Sequence, residues 1–202
     1  YILQNFYPYS NQRTILKILD NFLSLFTKSQ DNLIKINKIS YFESLKLNIK
    51  FKQIFRFNIF PDENTLDKTN YERRKKLIKN INLKNFSPFE ISKKLIFQYL
   101  PETYFENFAS NLTLAKKINF PQNPKKIVTD NDFDTNEIFK LWTALKTRSK
   151  SKYYILQHGN NYGTSIHTID NPEQIACDKF FSWGWKDNKK VFKGVNYQIK
   201  KN

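Results

Sequence analysis

Two histidines, His158 and His167, supply all the imidazole in this chain of 202 residues, and both fall in its last quarter. All four glycines, Gly159, Gly163, Gly184 and Gly194, fall there too. The rest of the chain is rich in Lys, Asn, Ile, Phe and Tyr, residues with AT-rich codons, so a cluster of His and Gly points to a local requirement. The run Gln157-His158-Gly159-Asn160-Asn161-Tyr162-Gly163 reads as a shaped loop leaving the carboxyl end of a strand. Glycine serves where φ is positive or where backbone must approach a ligand closely. The amides of Asn160 and Asn161 add donors, so the loop suits a phosphate or oxyanion. A histidine at a strand end can act as a general base near neutral pH. The plainer reading is that the glycines only make turns and His158 is incidental. His167 lacks the strand-end position and reads as a loop or core residue.

A second patch, Asp178-Lys179-Phe180-Phe181-Ser182-Trp183-Gly184-Trp185, follows a polar segment. Its structural reading is a buried aromatic strand with a glycine turn. Asp178 is placed to orient neighbours at the strand start, and Ser182 and Gly184 to line the same edge as the His158 loop. Glu173 reads as a solvated helix-face residue, with orientation of a base as its alternative role. Cys177 is the single cysteine, which excludes an intrachain disulfide and a cysteine zinc cluster and reads as a small packed side chain. The His158/His167 spacing matches no zinc helix, so the sequence calls for neither a metal nor a redox cofactor.

The elements that must position these residues are a short apolar run at Lys126–Thr129, a helix over Asp134–Thr147 carrying Ile138, Phe139, Leu141, Trp142 and Leu145, and strands at Tyr153–Gln157 and Phe180–Trp183. This is the βαβ grammar of an α/β fold, a Rossmann-like parallel sheet flanked by helices. The first 120 residues read as helix-rich. Ile15, Leu16, Leu19, Phe22, Leu23 and Phe26 share one helical face, Tyr71–Lys79 is weakly helical, and Ser87-Pro88-Phe89-Glu90 starts a helix that runs to Leu100. Another helix carries Tyr104, Phe105, Phe108, Leu112 and Leu114. Alternation at Leu45, Leu47, Ile49 and Phe51 suggests a strand region over 45–60. The expected organisation is therefore 1–120 and 121–202. A chain that starts at Tyr1 and contains no methionine reads as a fragment of a longer protein.

With 40% hydrophobic and 16% aromatic residues the chain is expected to fold, despite a formal charge of +16. No apolar run reaches spanning length and no signal peptide is legible, so the expected compartment is the reducing cytoplasm. The charge is spread out and only five residues are arginine, which argues against a specific nucleic-acid surface. Attraction to anionic lipid or phosphorylated substrates stays open.

Pro124-Lys125-Lys126-Ile127-Val128-Thr129, Phe139-Lys140-Leu141-Trp142-Thr143-Ala144, the His158 loop and the Asp178–Trp185 patch together resemble a family of bacterial surface-carbohydrate biosynthesis transferases. More distantly, the Gln-His-Gly strand end is similar to capsule sugar transferases and to the glycerophosphate transferases of teichoic acid synthesis. The resemblance covers roughly residues 85–190. Members usually carry Gly-Gly after the histidine, where this chain has Gly159-Asn160. The resemblance implies a GT-B-like fold of two facing Rossmann-like domains, this chain being the later part of the amino-terminal one. It implies a nucleotide-activated sugar or alcohol donor, held mainly by a downstream domain, and a carbohydrate or lipid-linked acceptor. It also implies peripheral contact with the inner face of the membrane and no cofactor. His158 would be the catalytic base, and Gln157, Gly159, Asn160, Asn161, Tyr162, Gly163, Ser182 and Gly184 would bind substrate. The fragment alone would be inactive. The competing reading is a non-catalytic basic α/β module that binds polyanions such as nucleic acid or an anionic membrane surface.

Overall fold

The structure, a computed structural model, describes residues 9–62, 68–79, 87–162, 171–187 and 190–197. Gly163 and His167 lie outside the described residues. The chain divides into two compact units, one of residues 1–60 with 118–202 and one of residues 61–117. The first unit is discontinuous in sequence because the sheet draws its first strand from the beginning of the chain.

The first unit holds a five-stranded sheet, wholly parallel, in the order β1 (Leu33–Lys35), β2 (Lys126–Thr129), β3 (Lys152–Leu156), β4 (Lys179–Ser182), β5 (Val191–Lys193). The three expected strands are neighbours, with Ile127 opposite Tyr153 and Ile155 opposite Phe180. Parallel strands put all their carboxyl ends on one edge, so the segments after β1, β2, β3 and β5 meet there. Asp130, fully buried just past β2, ties the first two of these together, accepting from the backbone N–H of Asn37 (2.9 Å), Lys38 (3.2 Å) and Asn131 (2.8 Å).

Side chains alternate across the sheet as period two requires. Leu33, Ile127, Tyr153, Ile155 and Phe180 are buried on one face, against which α7 (Glu137–Arg148) packs. Asn136, whose side chain accepts from Phe139 N–H, starts that helix directly after the short α6 (Asp132–Thr135). The expected single helix from Asp134 is therefore broken at Asn136. Phe139 and Trp142 of α7 meet Phe60, and Trp142 also meets Phe120, edge to face with centroids 5.4–6.3 Å apart. Across the sheet Val128, Tyr154, Leu156 and Phe181 line an apolar groove with Leu47 from α2 (Tyr41–Lys50) and Phe51 at its C-cap. α2 overturns the expected strand over 45–60. Ser40 and Glu43 form a capping box that starts a helix, and this local signal outweighs an alternation of only four residues. The chain from Phe51 to Phe60 is irregular.

α1 (Tyr9–Ser24) is held by its polar side. Buried Asp20 accepts from Arg56 Nη2 (2.8 Å) and from the backbone N–H of Phe57 (2.7 Å). Ile15, Ile18, Leu19 and Phe22 consequently face outward.

The second unit contains α3 (Tyr71–Lys79), α4 (Pro88–Tyr99), a short 3-10 turn (Glu102–Tyr104) and α5 (Phe108–Lys117). The expected helix through Tyr104 and Leu114 is thus two elements. Ser87 caps α4 as its sequence indicated. At the centre of the unit Arg74 binds Glu106 through Nε (2.8 Å) and Nη2 and donates to the Leu100 carbonyl (2.7 Å). The guanidinium holds the Glu106 carboxyl down at about 2.

Candidate functional site

Off the carboxyl edge of the sheet opens a cavity of about 520 Å³, lined by Phe133, Asp134, His158, Tyr162 and Glu173 together with Gly159, Asn160, Asn161, Asn171 and Pro172. The strand order is monotonic, so no reversal of the sheet makes this crevice. It lies between the loop after β3 and two short helices, α6 and α8 (Pro172–Ala176).

Each side chain is delivered by a local device. α6 is pinned by Asp132, which accepts from Asn37 Nδ2 (2.9 Å) and Thr129 Oγ1 (3.1 Å), and this leaves Asp134 half exposed at the cavity. α8 starts with Asn171 as cap and Pro172 at the first turn, and Asn171 Oδ1 accepts from Glu173 N–H. Glu173 is buried at 3% exposure and points inward, so the solvated helix-face reading of this residue is overturned. A carboxylate in the first turn of a short helix can turn either way, and here the packing of α8 on β4 turns it in. Gln157, also at 3% exposure, braces the loop. Its amide donates to the Gly159 carbonyl (2.8 Å), and its Oε1 accepts from Trp183 N–H and Trp185 Nε1 (2.8 Å each).

His158 stands at the centre with its side chain 18% exposed. Its Nε2 is 3.4 Å from Asp134 Oδ2, and its Nδ1 is 3.5 Å from Glu173 Oε1 and 3.0 Å from the Tyr162 hydroxyl. Tyr162 also donates a very short hydrogen bond to Glu173 Oε2, and its ring leans on Phe180. Burial, opposed by this hydrogen bond and reinforced by nearby Asp134, pushes the Glu173 carboxyl up to about 7. Burial also raises the Tyr162 hydroxyl, with the Glu173 hydrogen bond adding to the effect.

The ligand atoms of Asp134, His158 and Glu173 all lie within 4.8 Å of one another, a separation at which a divalent cation could be shared. The two carboxylates nevertheless address opposite nitrogens of one ring, and Nδ1 is already engaged by Tyr162. Such an arrangement suits the movement of a proton along the ring better than convergence on a single point.

Of the residues the sequence singled out, His158, Gly159, Asn160, Asn161 and Tyr162 line the cavity. Gln157 supports the loop from beneath. Ser182 is fully buried, its hydroxyl spent on the carbonyls of Trp185 and Phe192 (3.3 Å for the latter). Gly184, at φ +102°, makes the turn after β4 and is absent from the cavity lining. Gly159 does not have positive φ, so the conformational reason for a glycine does not hold there. Asp178 orients the strand start as expected, accepting from Tyr153 N–H (2.9 Å) and Lys152 Nζ (3.0 Å). Cys177 is packed, and burial pushes its thiol up to about 11. Sequence reasoning missed Asp134 as a site residue. Its signal was its position just beyond a strand that runs parallel to, and ends beside, the one preceding His158.

Among the described residues no helix is long and apolar enough to cross a membrane. No curated protein and no solved structure matches the chain. The family comparison matches residues 3–202, nearly the whole length, and on that match the chain belongs to the LIC12162 family of transferases.

Proposed function

We propose that this transferase moves a sugar, or an alcohol phosphate, from a nucleotide-activated donor to an acceptor hydroxyl in the building of bacterial surface polysaccharide, with His158 as general base. The observation that carries this reading is the half-buried His158 ring at a strand end, in a cavity roomy enough for a hydroxyl-bearing ligand, with carboxylates toward both ring nitrogens. His158 would take the acceptor proton as the oxygen attacks the anomeric carbon or phosphorus. Backbone and amide groups of Gly159–Asn161 would orient the acceptor or meet developing negative charge. The donor would be held by a second Rossmann-like domain outside this chain, in a GT-B-like arrangement, with the reaction at the cytoplasmic face of the membrane. Support for peripheral contact with anionic lipid comes from the charge of +16 and the outward apolar side of α1. The polyanion-binding alternative gains nothing from the cavity, because Asp134 and Glu173 put acid where a polyanion would have to sit.

The test is His158→Ala in the full-length enzyme with nucleotide-activated sugar donors. Turnover is expected to fall by about two to four orders of magnitude with the fold intact. Near-normal turnover would remove His158 from the chemistry.

A further inference from the structure

We infer that His158, Tyr162 and Glu173 form one hydrogen-bond chain whose direction decides which nitrogen of His158 faces the cavity with a lone pair, and that Glu173 is the final resting place of the proton His158 removes. This rests on the reading of His158 as base. Tyr162 has a single hydroxyl proton, yet its oxygen sits within hydrogen-bonding distance of both His158 Nδ1 (3.0 Å) and Glu173 Oε2. It can donate to only one of them.

When Glu173 is ionised, the buried carboxylate is the stronger acceptor, so the tyrosine proton points to Oε2. Nδ1 must then carry its own proton and donate it to the Tyr162 oxygen, which leaves Nε2 with a lone pair toward the cavity. When Glu173 is protonated, every bond in the chain reverses. Glu173 donates to Tyr162, Tyr162 donates to Nδ1, and Nε2 carries the hydrogen. The transfer step connects these two states. The acceptor O–H bond breaks and an Nε2–H bond forms, the Nδ1 proton passes to the Tyr162 oxygen, and the tyrosine proton passes to Oε2. The imidazole is neutral before and after, and Glu173 has lost its negative charge.

Asp134 pulls the other way, since a carboxylate 3.4 Å from Nε2 favours a proton there. Burial decides between them. The Asp134 side chain is 49% exposed and screened by water, whereas Glu173 is 4% exposed and works through a direct hydrogen bond to Tyr162. Asp130, behind β2, and Tyr197, which follows β5, also act electrostatically on Glu173 and Tyr162 respectively. A carboxyl poised near 7 is what lets the two directions exchange at physiological pH. Tyr162 and Glu173 are positioning residues, because they act on the acceptor proton through His158.

The chain has only two histidines, so imidazole ¹⁵N NMR on His167→Gln protein reads His158 alone. At pH 8.5 the wild-type ring should show a pyridine-like Nε2 and a protonated Nδ1. As pH falls, the exchange of the Nδ1–H tautomer for the Nε2–H tautomer should follow the Glu173 carboxyl ¹³C shift with one midpoint. In Tyr162→Phe the link is cut and Asp134 remains as the partner of Nε2, so the proton should move to Nε2. An Nε2–H ring in the unsubstituted site at pH 8.5, separate midpoints, or a folded Tyr162→Phe ring with the wild-type tautomer would each overturn the inference. In the full-length enzyme Tyr162→Phe should lower kcat about 10- to 100-fold with KM little changed. The NMR needs no substrate, so it separates failure of the relay from failure of the base assignment, which only His158→Ala turnover can sink.

Discussion

Replacing Glu173 by Gln should make the first unit more stable at neutral pH, although it removes a buried, hydrogen-bonded side chain. A carboxyl ordinarily near 4.5 is pushed to about 7 by burial in this fold. The folded state therefore prefers the neutral acid. The stability this contributes is fully present below pH 4.5 and lost as pH rises through 7. The loss amounts to about 3 kcal/mol at 1.36 kcal/mol per pH interval. Glutamine is neutral throughout and carries no such dependence. The stability of Glu173→Gln minus that of wild type should thus climb by about 3 kcal/mol between pH 4.5 and 7.5, equivalent to roughly 6 to 12 °C in Tm for a chain of this size. All three tryptophans, Trp142, Trp183 and Trp185, belong to the first unit, so their fluorescence follows its unfolding by urea separately from the helical unit. Differences between the two proteins cancel the titration of groups they share. A flat difference across this range, or a fall, would show that Glu173 is not held neutral by burial and would remove the basis for its exchange of protons with Tyr162.

The ion pair of the helical unit should behave with the opposite sign. Glu106 is held at about 2 by Arg74, so its contribution is present above pH 4.5 and lost as pH falls toward 2, again about 3 kcal/mol, measured by hydrogen exchange of α3–α5 amides. Glu106→Gln strands a buried guanidinium and should cost about 3 to 5 kcal/mol at pH 7; a loss under 1 kcal/mol would contradict the assigned pairing. His158→Ala should leave urea stability within about 1 kcal/mol of wild type while abolishing most transferase turnover, since the ring lines the cavity and is not part of the packed core. Sedimentation with anionic vesicles should retain the chain, and Phe22→Glu on the outward side of α1 should release it; equal binding to neutral vesicles would remove the electrostatic part of the argument.

The parts of the fold legible in advance were those whose signals are local and redundant. β2, α7, β3 and β4 each combine an apolar run with a cap or turn, and the βαβ order leaves a parallel sheet as the economical solution. Ser87 announced α4 by the same logic. β1 was missed because three residues, Leu33-Ile34-Lys35, have no periodicity to read, and their strand state comes from pairing with Ile127–Thr129 more than ninety residues away. The alternation after Leu45 misled because it ignored the Ser40/Glu43 box lying just upstream.

The site divides along the same line. His158 and its loop announced themselves by rare residue types, and the structure puts them beside the cavity. What surrounds the ring was legible only in part: Tyr162 shares its loop, but Asp134 and Glu173 reach it from two other segments, and only the parallel register of β2, β3 and β4 brings those segments to one edge. Glu173 shows why residue type alone was insufficient. In the first turn of a helix a glutamate is ordinarily solvated and ionised, with the helix dipole in its favour. Here Asn171 and Pro172 set the start of α8, packing against β4 rotates its second residue inward, and burial reverses the preferred protonation state. The chemistry of that carboxyl is a property of the tertiary fold: any substitution that lets α8 turn, such as loss of the Asn171 cap, should return Glu173 to solvent, lower its pKa toward the ordinary carboxylate range and uncouple it from Tyr162. Asn171→Ala followed by ¹³C titration of Glu173 would show this as a midpoint moving down from about 7, and a midpoint that stayed put would mean that the sheet, and not the cap, holds the carboxyl in place.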